Sequence, residues 1–382
     1  MSFVSNTCVC HLKHLCLSSK TLVFYHVKHL CLTNRNPASA NTLNNNLLNR
    51  NMNQAIRRLL TEQTTSWETA RNNYAALAGV QVKELNVNGF PYKVQFNPAR
   101  IVSSGAKVDA KSIRERKCFL CPAHLPPEQK GIPFKGHYHI LVNPFPIFPR
   151  HLTIPELAHV PQLIAPRFAD MLELAQALSD FIIFYNGPKC GASAPDHAHF
   201  QAGNKGFLPI EKEWRGQVAG KIADYRKAAL WYLNDAPRTT LVIQSASAAD
   251  ATALFDIIYR TLDVKPGEDE PMMNVLALYE TQPAPSLRPG NELQAEAFWT
   301  IFLFPREKHR PACYTAEGDA NLLSSPASVD LGGIFITPVE KDFRKITAED
   351  VARILGEVCL SADDFRRIRQ RIKEQILNNT SL

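Results

Sequence analysis

Three polar residues alternate with apolar ones near the middle of the chain, in the order His197, Ala198, His199, Phe200, Gln201. Alternate side chains of a β-strand project from one face, so a strand here places the two histidines and the glutamine together. Ala198 and Phe200 would then face the core. A neutral imidazole can attack a phosphorus atom and form a phosphoramidate, which a second nucleophile then cleaves. The spacing therefore predicts nucleophilic catalysis at a phosphorus centre.

The turn before this strand supports the same chemistry. Residues Gly187–Ser193 contain two glycines and end on a serine, so backbone N–H groups and the Ser193 hydroxyl can donate to phosphate oxygens. Gln201 can also donate to a phosphate oxygen without adding a repelling negative charge. The structural alternative is an exposed strand that carries histidines by chance, and the adjacent turn favours the catalytic interpretation.

A second group of residues that could do chemistry is the pair Cys118-x-x-Cys121. Such a pair supplies two thiolates to one zinc ion, and two imidazoles would complete a tetrahedron. The alternative is two reduced, half-buried cysteines without a metal. Beyond residue 60 the cysteines are odd in number, which does not suggest a disulfide framework: Cys118, Cys121, Cys190, Cys313 and Cys359. A reduced, cytoplasmic protein is the simpler inference.

The elements that position these residues form a mixed pattern. Spacings of three and four predict a helix over 166–179, followed by strands at 181–185 and 197–202. The dipeptide Asn88-Gly89 predicts a hairpin within 83–96. A second set of elements follows: strands at 240–244, 274–279, 298–304 and 331–337, a helix at 248–262, and two closing helices with capping boxes at Thr347 and Ser361. Strands and helices without strict alternation favour an α+β fold with largely antiparallel sheets.

The basic charge of the chain comes from its beginning. The formal net charge is +7, and residues 1–61 carry seven basic and no acidic groups, so the rest is neutral. This argues against a nucleic-acid partner, and no apolar run is long enough for a membrane span.

Residues 1–51 are interpreted as a disordered leader, or as an upstream stretch with the real start at Met52. The alternative is a metal-binding arm built on Cys8, Cys10, Cys16 and Cys31.

The run Asn186–Gln201 resembles the signature of the histidine-triad (HIT-like) superfamily. Glutamine at the third triad position is typical of its nucleotidyltransferase branch, which includes galactose-1-phosphate uridylyltransferases, diadenosine tetraphosphate phosphorylases and GDP-L-galactose phosphorylases. The segment Leu141–Pro155 resembles the companion motif of this superfamily. Downstream, Phe302–Arg306 and Ser325–Phe335 resemble the second half of the GDP-L-galactose phosphorylases. An additional residue, Asp196, before the first triad histidine favours the phosphorylases over the uridylyltransferases.

This resemblance implies a fold and a domain organisation. We expect HIT-like antiparallel sheets with packed helices, arranged as two related half-barrel units. The first unit would cover residues 52–205 and hold the cysteine pair and the triad. The second unit would cover residues 206–345, and a helical pair at 346–382 would follow.

The resemblance also implies roles for individual residues. His199 would be the nucleophile and Gln201 would stabilise the phosphoryl group. Asn186, Gly191 and Ser193 would line the phosphate path, and Asn143 matches a position that contacts the nucleotide ribose in some relatives. In uridylyltransferases a structural zinc is held by positions that match four residues here: Cys118, Cys121, His151 and His197. Two basic residues, Lys189 and Arg306, could bind distal phosphates or belong to ordinary polar loops.

The predicted function is nucleotidyl transfer through a nucleotidyl-histidine. The substrate would be a nucleoside diphosphate-sugar or a dinucleoside polyphosphate, with inorganic phosphate as co-substrate and zinc as a structural cofactor. A hydrolase with water as acceptor and a non-catalytic nucleotide-binding protein are the alternatives. Gln201 argues against the hydrolase, because a third imidazole usually serves the leaving group in hydrolytic relatives. Either a pseudo-symmetric monomer or a homodimer is expected.

Overall fold

A computed structural model of the chain describes residues 37–101, 105–234, 236–282 and 296–380. Residues 45–382 form one compact body, which holds the sheets and the cavity described below. Residues 1–44 form a separate body, of which the described residues 37–44 are helical. The arm built on Cys8, Cys10, Cys16 and Cys31 lies outside the described residues. No helix among the described residues is long and apolar enough to cross a membrane.

The strands are β1 (Gln81–Val87), β2 (Phe90–Phe96), β3 (Gly131–Phe134), β4 (Tyr138–Val142), β5 (His151–Pro155), β6 (Phe181–Asn186), β7 (His199–Asn204), β8 (Val218–Tyr225), β9 (Ala228–Leu233), β10 (Leu241–Ser245), β11 (Met273–Gln282), β12 (Glu296–Pro305) and β13 (Ile334–Thr337). The helices are α1 (Pro37–Ser66), α2 (Glu68–Leu77), α3 (Ala110–Glu115), α4 (Phe168–Ala177), α5 (Ile210–Glu213), α6 (Ala248–Thr261), α7 (Ser328–Leu331), α8 (Glu340–Lys345), α9 (Ala348–Val358) and α10 (Ala362–Thr380).

The centre of the fold is a ten-stranded sheet in the order β3-β4-β5-β7-β6-β11-β12-β10-β9-β8. Each half of this order has the same construction. In the first half, β3, β4 and β5 are followed by α4, β6 and β7, and β7 lies between β5 and β6 in the sheet. In the second half, β8, β9 and β10 are followed by α6, β11 and β12, and β12 lies between β10 and β11. The halves meet where β6 pairs antiparallel with β11, with Asn186 opposite Asn274. The sheet therefore consists of two topologically equivalent five-stranded units.

One row of paired residues across the sheet shows how the two units differ. Gln201 pairs with Phe184, Phe184 with Leu276, and Leu276 with Phe302. Phe302 thus occupies in the second unit the place that Gln201 occupies in the first, and Thr300 corresponds to His199. Phe302 is fully buried in an apolar cluster. Only the first unit carries the histidine motif on the described strands.

Two apolar cores lie on the two faces of the sheet. Helices α1, α4, α6 and α10 cover one face, where the rings of Phe168 and Phe255 stack with centroids 3.7 Å apart. The other face is covered by a small sheet of order β1-β2-β13 together with α9. Gln201, Phe184 and Phe302 belong to this second face. The small sheet therefore covers the face of the large sheet that carries Gln201.

The α+β class with antiparallel sheets and packed helices is confirmed by this architecture. The predicted hairpin forms, and its turn residues Asn88 and Gly89 have φ values of 51° and 88°, which suit a two-residue turn. The first described helix begins at Pro37. The strand predicted at 331–337 is shorter, because residues up to Leu331 belong to α7. The domain boundaries at residues 51, 205 and 345 stay a prediction.

Candidate active site

His199 begins β7 and its backbone is fixed by the buried side chain of Gln162. The His199 N–H donates to Gln162 Oε1 at 2.7 Å. Gln162 Nε2 in turn donates to the carbonyl oxygens of His199 and Asn186, at 3.0 Å each. One amide therefore ties the start of β7 to the end of β6. Because a buried, fully paired polar network has few alternative arrangements, the position of His199 is fixed.

The ring of His199 is oriented by the neighbouring backbone. Its Nδ1 lies 2.7 Å from the carbonyl oxygen of His197. A carbonyl oxygen only accepts hydrogen bonds, so Nδ1 carries the proton and Nε2 keeps its lone pair. Burial lowers the pKa of His199 to about 4, so the imidazole is neutral at pH 7. The ring therefore presents one unprotonated nitrogen.

Gln201 is oriented by His151. The N–H of Ile147 donates to His151 Nδ1 at 3.1 Å, so the ring proton of His151 lies on Nε2. His151 Nε2 donates this proton to Gln201 Oε1 at 3.1 Å. Burial, and after it the charge of Arg100, lowers the pKa of His151 to about 3, which keeps the ring neutral. Because the oxygen of Gln201 is occupied, its NH₂ group is left to donate into the cavity.

A cavity of about 680 Å³ brings most of the predicted site residues together. His199 and Gln201 line it, and so do four of the predicted substrate contacts: Asn143, Asn186, Gly191 and Ser193. Further side chains of its wall are apolar, among them Trp67, Phe119 and Phe145. A largely apolar cavity with a few converging polar groups is typical of a small-molecule site.

The turn Gly187–Ser193, which is predicted to bind phosphate, packs closely against residues from the second half of the chain. Gly191 has φ of 92°, and a Cβ there would lie 2.5 Å from the Cβ of Ala327. Only glycine fits this position. Asn186 makes the neighbouring contact, since its Oδ1 accepts hydrogen bonds from Asn274 Nδ2, Ser328 N and Ser328 Oγ at 2.6–2.9 Å. Residues from the second half of the chain therefore form part of the wall of the site.

Two predicted substrate contacts lie elsewhere. Lys189 pairs with Glu268 at the mouth of a separate, smaller pocket. Arg306 is buried, and its guanidinium donates to Asn274 Oδ1 and to four backbone carbonyl oxygens, including that of Val358. The described contacts thus give Arg306 a structural role, and neither residue lines the cavity of His199.

Four residues with metal-ligand chemistry meet beside the site: Cys118, Cys121, His159 and His197, with ligand atoms within 4.8 Å of one another. His197 Nδ1 lies 3.2 Å from Cys118 Sγ and 3.6 Å from Cys121 Sγ. His159 Nδ1 lies 3.2 Å from Cys121 Sγ. In a tetrahedral zinc site with Zn–S of about 2.3 Å and Zn–N of about 2.0 Å, neighbouring ligand atoms are about 3.3–3.8 Å apart. The group fits this geometry.

The surroundings of the two rings also fit a metal site. His197 Nε2 lies 2.7 Å from the carbonyl oxygen of Glu156, and His159 Nε2 lies 3.8 Å from Asp196 Oδ2. Arg116 pairs with the other oxygen of Asp196 at 2.7 Å. Oxygen acceptors behind each ring leave both Nδ1 lone pairs facing the thiols, as the outer contacts of a metal site do.

His151 does not join the cysteine pair, which differs from the predicted ligand set. Both of its ring nitrogens are occupied by Ile147 and Gln201. The fourth place belongs to His159, a residue that the sequence analysis did not consider. Gln162 and Arg100, which also contact or line the site, were missed as well. The only available signal for His159 was a histidine shortly after the companion motif.

Comparison with known proteins agrees with this architecture. The family model described as "Domain of unknown function (DUF4922)" matches residues 59–204, and the model "GDPGP1-like, C-terminal domain" matches residues 289–379. The first segment contains His199 and the second contains Arg306. No curated protein matches the chain significantly.

Solved structures of yeast Ap4A phosphorylase Apa2 share the fold. The complex with AMP superposes with a TM-score of 0.51 at 16% identity, over 80% of this chain and 96% of that one. The complex with Ap4A gives a TM-score of 0.50 at 16% identity, over 81% of this chain and 98% of that one. The chain therefore shares its fold with an Ap4A phosphorylase, and its residues 289–379 are similar to the C-terminal domain of GDPGP1-like proteins.

Proposed function

We propose that this chain is a nucleotide phosphorylase that works through a nucleotidyl-histidine. The observation that carries this proposal is the ring of His199. Its Nδ1 proton is held by the carbonyl oxygen of His197, which leaves the Nε2 lone pair of a neutral imidazole as the nucleophile at the cavity. The relatives that share the fold include a phosphorylase in complex with AMP and with Ap4A.

The first step forms a nitrogen–phosphorus bond. His199 Nε2 attacks the α-phosphorus of a nucleoside diphosphate-sugar or dinucleoside polyphosphate, and the bond from that phosphorus to the bridging oxygen breaks. The leaving group departs with the bonding electron pair. The imidazole becomes positively charged as the bond forms, and the carbonyl dipole of His197 stabilises that charge through the Nδ1 proton. The NH₂ group of Gln201 is a donor for a non-bridging oxygen of the phosphoryl group.

The second step returns the enzyme to its starting state. An oxygen of inorganic phosphate attacks the phosphorus, the nitrogen–phosphorus bond breaks, and His199 recovers its lone pair. Holding the acceptor beside the intermediate supplies the rate advantage. Gln201 favours phosphate over water as acceptor, since its amide cannot act as a general base for water. A phosphate acceptor is already an anion and needs no such base.

We propose that zinc occupies the group formed by Cys118, Cys121, His159 and His197. Four protein ligands close the coordination sphere, so the ion would have a structural role. It would fix the segment that ends at His197, and the carbonyl oxygen of this same residue orients the nucleophile. The metal would thus act on catalysis through the position of His199.

An assay with labelled nucleotides tests the function. Purified protein is incubated with GDP-sugars, UDP-sugars and diadenosine polyphosphates, each with and without inorganic phosphate. We expect acid-labile labelling of the protein by one class of nucleotide, and phosphate-dependent release of a nucleoside diphosphate. Phosphate-independent release of a nucleoside monophosphate would indicate the hydrolase instead. Binding without labelling or turnover would indicate the non-catalytic alternative.

The pH dependence of the first step follows from the pKa of His199. An ordinary histidine has a pKa of 6.5, whereas that of His199 is lowered to about 4 by burial. Protonation removes the lone pair, so the rate of labelling should stay level from about pH 7 to pH 5 and fall as the pH is lowered through about 4. Single-turnover labelling across this range measures the profile, with circular dichroism at each pH as a control for folding. A midpoint near 6.5 would contradict this environment of the ring.

A further inference from the structure

Arg100 places a guanidinium group at the cavity, and the mechanism proposed above gives this group no role. It ends the 3₁₀ turn Pro98–Arg100, which follows β2 of the three-stranded sheet, and it lines the same cavity as His199 and Gln201. Its Nη1 donates to the carbonyl oxygen of Phe145 at 2.8 Å. Its Nε is buried and meets no acceptor among the described residues. A guanidinium has five N–H donors, so the protein contacts use a small part of its capacity.

The carboxylate of Asp330, whose charge acts on Arg100, makes its described hydrogen bonds to other groups. Asp330 lines the same cavity and its charge raises the pKa of Arg100, against the larger effect of burial, which lowers it to about 10. The two oxygens of Asp330 accept from the backbone N–H groups of Ala327 and Ile336, at 2.8 and 3.0 Å. Arg100 thus remains a cation at pH 7 and is partly buried, and its buried Nε donor is unpaired, which is unfavourable until an anion joins it.

Arg310 adds a second cation from the other half of the chain. Its Nε lies 3.3 Å from Ser325 Oγ, and its Nη2 donates to the carbonyl oxygen of Ala106 at 3.1 Å. The neighbouring His309 shows that this wall is electropositive. Burial first, and then the charges of Arg310, Arg306 and Lys189, lower the pKa of His309 to about 4. His309 and Arg310 both line the cavity.

We propose that Arg100 and Arg310 form a subsite in this cavity for the phosphate group that leaves in the first step and for the one that enters in the second. The ligand class is a phosphate dianion, either inorganic or as the end of a phosphate monoester. A guanidinium fork matches two phosphate oxygens and forms the shorter, stronger hydrogen bonds of a charged pair. The place of this subsite in the reaction rests on the proposed function, whereas its affinity for phosphate does not.

One subsite serves both groups because of the geometry of displacement. In an in-line attack the entering and leaving atoms lie on opposite sides of the phosphorus. His199 Nε2 is the entering atom of the first step and the leaving atom of the second. The leaving phosphate and the acceptor phosphate therefore occupy the same side of the intermediate, away from His199. In our proposal Arg100 and Arg310, which line this cavity, stabilise the charge of whichever phosphate is present there.

Direct binding provides the first test. Inorganic phosphate and pyrophosphate are titrated calorimetrically into the full chain and into the variants Arg100→Gln, Arg310→Gln and Lys107→Gln. Lys107 is an exposed cation that lines the same cavity, so its variant is the matched control for charge. We expect about a 10-fold or larger loss of affinity for both probes in the two arginine variants, and less than about a 3-fold loss in Lys107→Gln.

Thermal unfolding separates a binding role from a structural one. Arg100→Gln removes a partly buried cation whose buried Nε donor is unpaired, so its midpoint of unfolding in phosphate-free buffer should equal or exceed that of the unaltered chain. Added phosphate should raise the midpoint of the unaltered chain and of Lys107→Gln more than that of Arg100→Gln. A large drop for Arg100→Gln in phosphate-free buffer would show a structural role and overturn the proposal.

Kinetics identify which phosphate uses the subsite. If the leaving phosphate does, labelling of His199 slows in Arg100→Gln; if the acceptor does, labelling is normal and the KM for phosphate rises. Either result supports the proposal, and our expectation is that both occur. Equal binding of both probes by the arginine variants and Lys107→Gln would overturn it, as would no binding by the unaltered chain. Arginine-dependent binding without any labelled intermediate would refute the proposed function and leave the subsite intact.

Discussion

Replacement of His199 by alanine is expected to abolish phosphorolysis, with a fall in kcat/KM of at least about 10⁴-fold, as for other enzymes that lose their nucleophile. No other described residue of the cavity presents a neutral imidazole with its free nitrogen fixed by a backbone carbonyl. The labelled nucleotidyl-protein should disappear together with turnover. Affinity for the nucleotide should change little, because His199 contributes one of many contacts in a cavity of about 680 Å³.

The matched control for this variant is His137→Ala. His137 is a half-exposed histidine that contacts Lys135 and Asp170 outside the cavity. Its loss should leave labelling and turnover within about 2-fold of the unaltered enzyme, as is usual for surface substitutions. Persistent labelling of His199→Ala at the normal rate would assign the nucleophile to another residue and would remove the basis of the proposed mechanism.

The second large effect concerns the metal group. We expect about one zinc per chain in the purified protein, and loss of that zinc in Cys118→Ser and in His159→Ala. Cys118 and His197 are the buried ligands of this group, and loss of the ion leaves whichever of them remains without a charge partner, which costs roughly 3–5 kcal/mol in the free energy of unfolding. Labelling of His199 should fall in parallel, since His197 connects the metal group to the nucleophile. Metal analysis and denaturant titration measure the two quantities.

His151→Ala separates the metal group from the catalytic network. His151 contacts Gln201 and Ile147, so this variant should keep its zinc. It should also slow transfer by about 10–100-fold, the usual cost of losing a residue that orients an active group. Loss of zinc in His151→Ala with retention in His159→Ala would restore the original ligand assignment and contradict the geometry described above.

Much of the site could be predicted because it depends on local spacing. The alternation of His199, Phe200 and Gln201 requires only a strand, and a strand forms there. The turn Gly187–Ser193 precedes it in sequence and in space. The residues that we propose to be catalytic are therefore neighbours along the chain, and the pattern that predicts them needs no knowledge of the tertiary fold.

The fourth residue of the metal group could not be predicted in this way, because it depends on the register between β5 and β7. These strands are antiparallel, with His151 opposite Gly203 and Pro155 opposite His199. The continuation of this register puts His197 opposite residue 157. His151 lies six residues from that point, about 20 Å along an extended strand, whereas His159 lies just beyond it. A shift of a few residues in register decides which histidine reaches the cysteines, and sequence spacing does not determine it.

A second element escaped prediction for a different reason. Strands β8 and β9 form a hairpin over Val218–Leu233 whose turn contains no glycine, asparagine or proline. Arg226 takes the positive φ of 52° that such residues usually supply. Pairing of β9 with β10 stabilises this turn through the sheet. The tertiary fold thus overrides a local sequence that gives no turn signal.

The pairing of β6 with β11 has a consequence for synthesis of the protein. All six residues of β6 are buried, and their neighbour β11 begins about 70 residues after the first unit ends. At about 5–20 residues per second, a ribosome needs roughly 3–14 s to make that stretch. During this interval the nascent first unit exposes an apolar strand edge, which readily pairs with the edge of another chain. The period between the completion of the two units is therefore when the nascent chain is most in need of a chaperone.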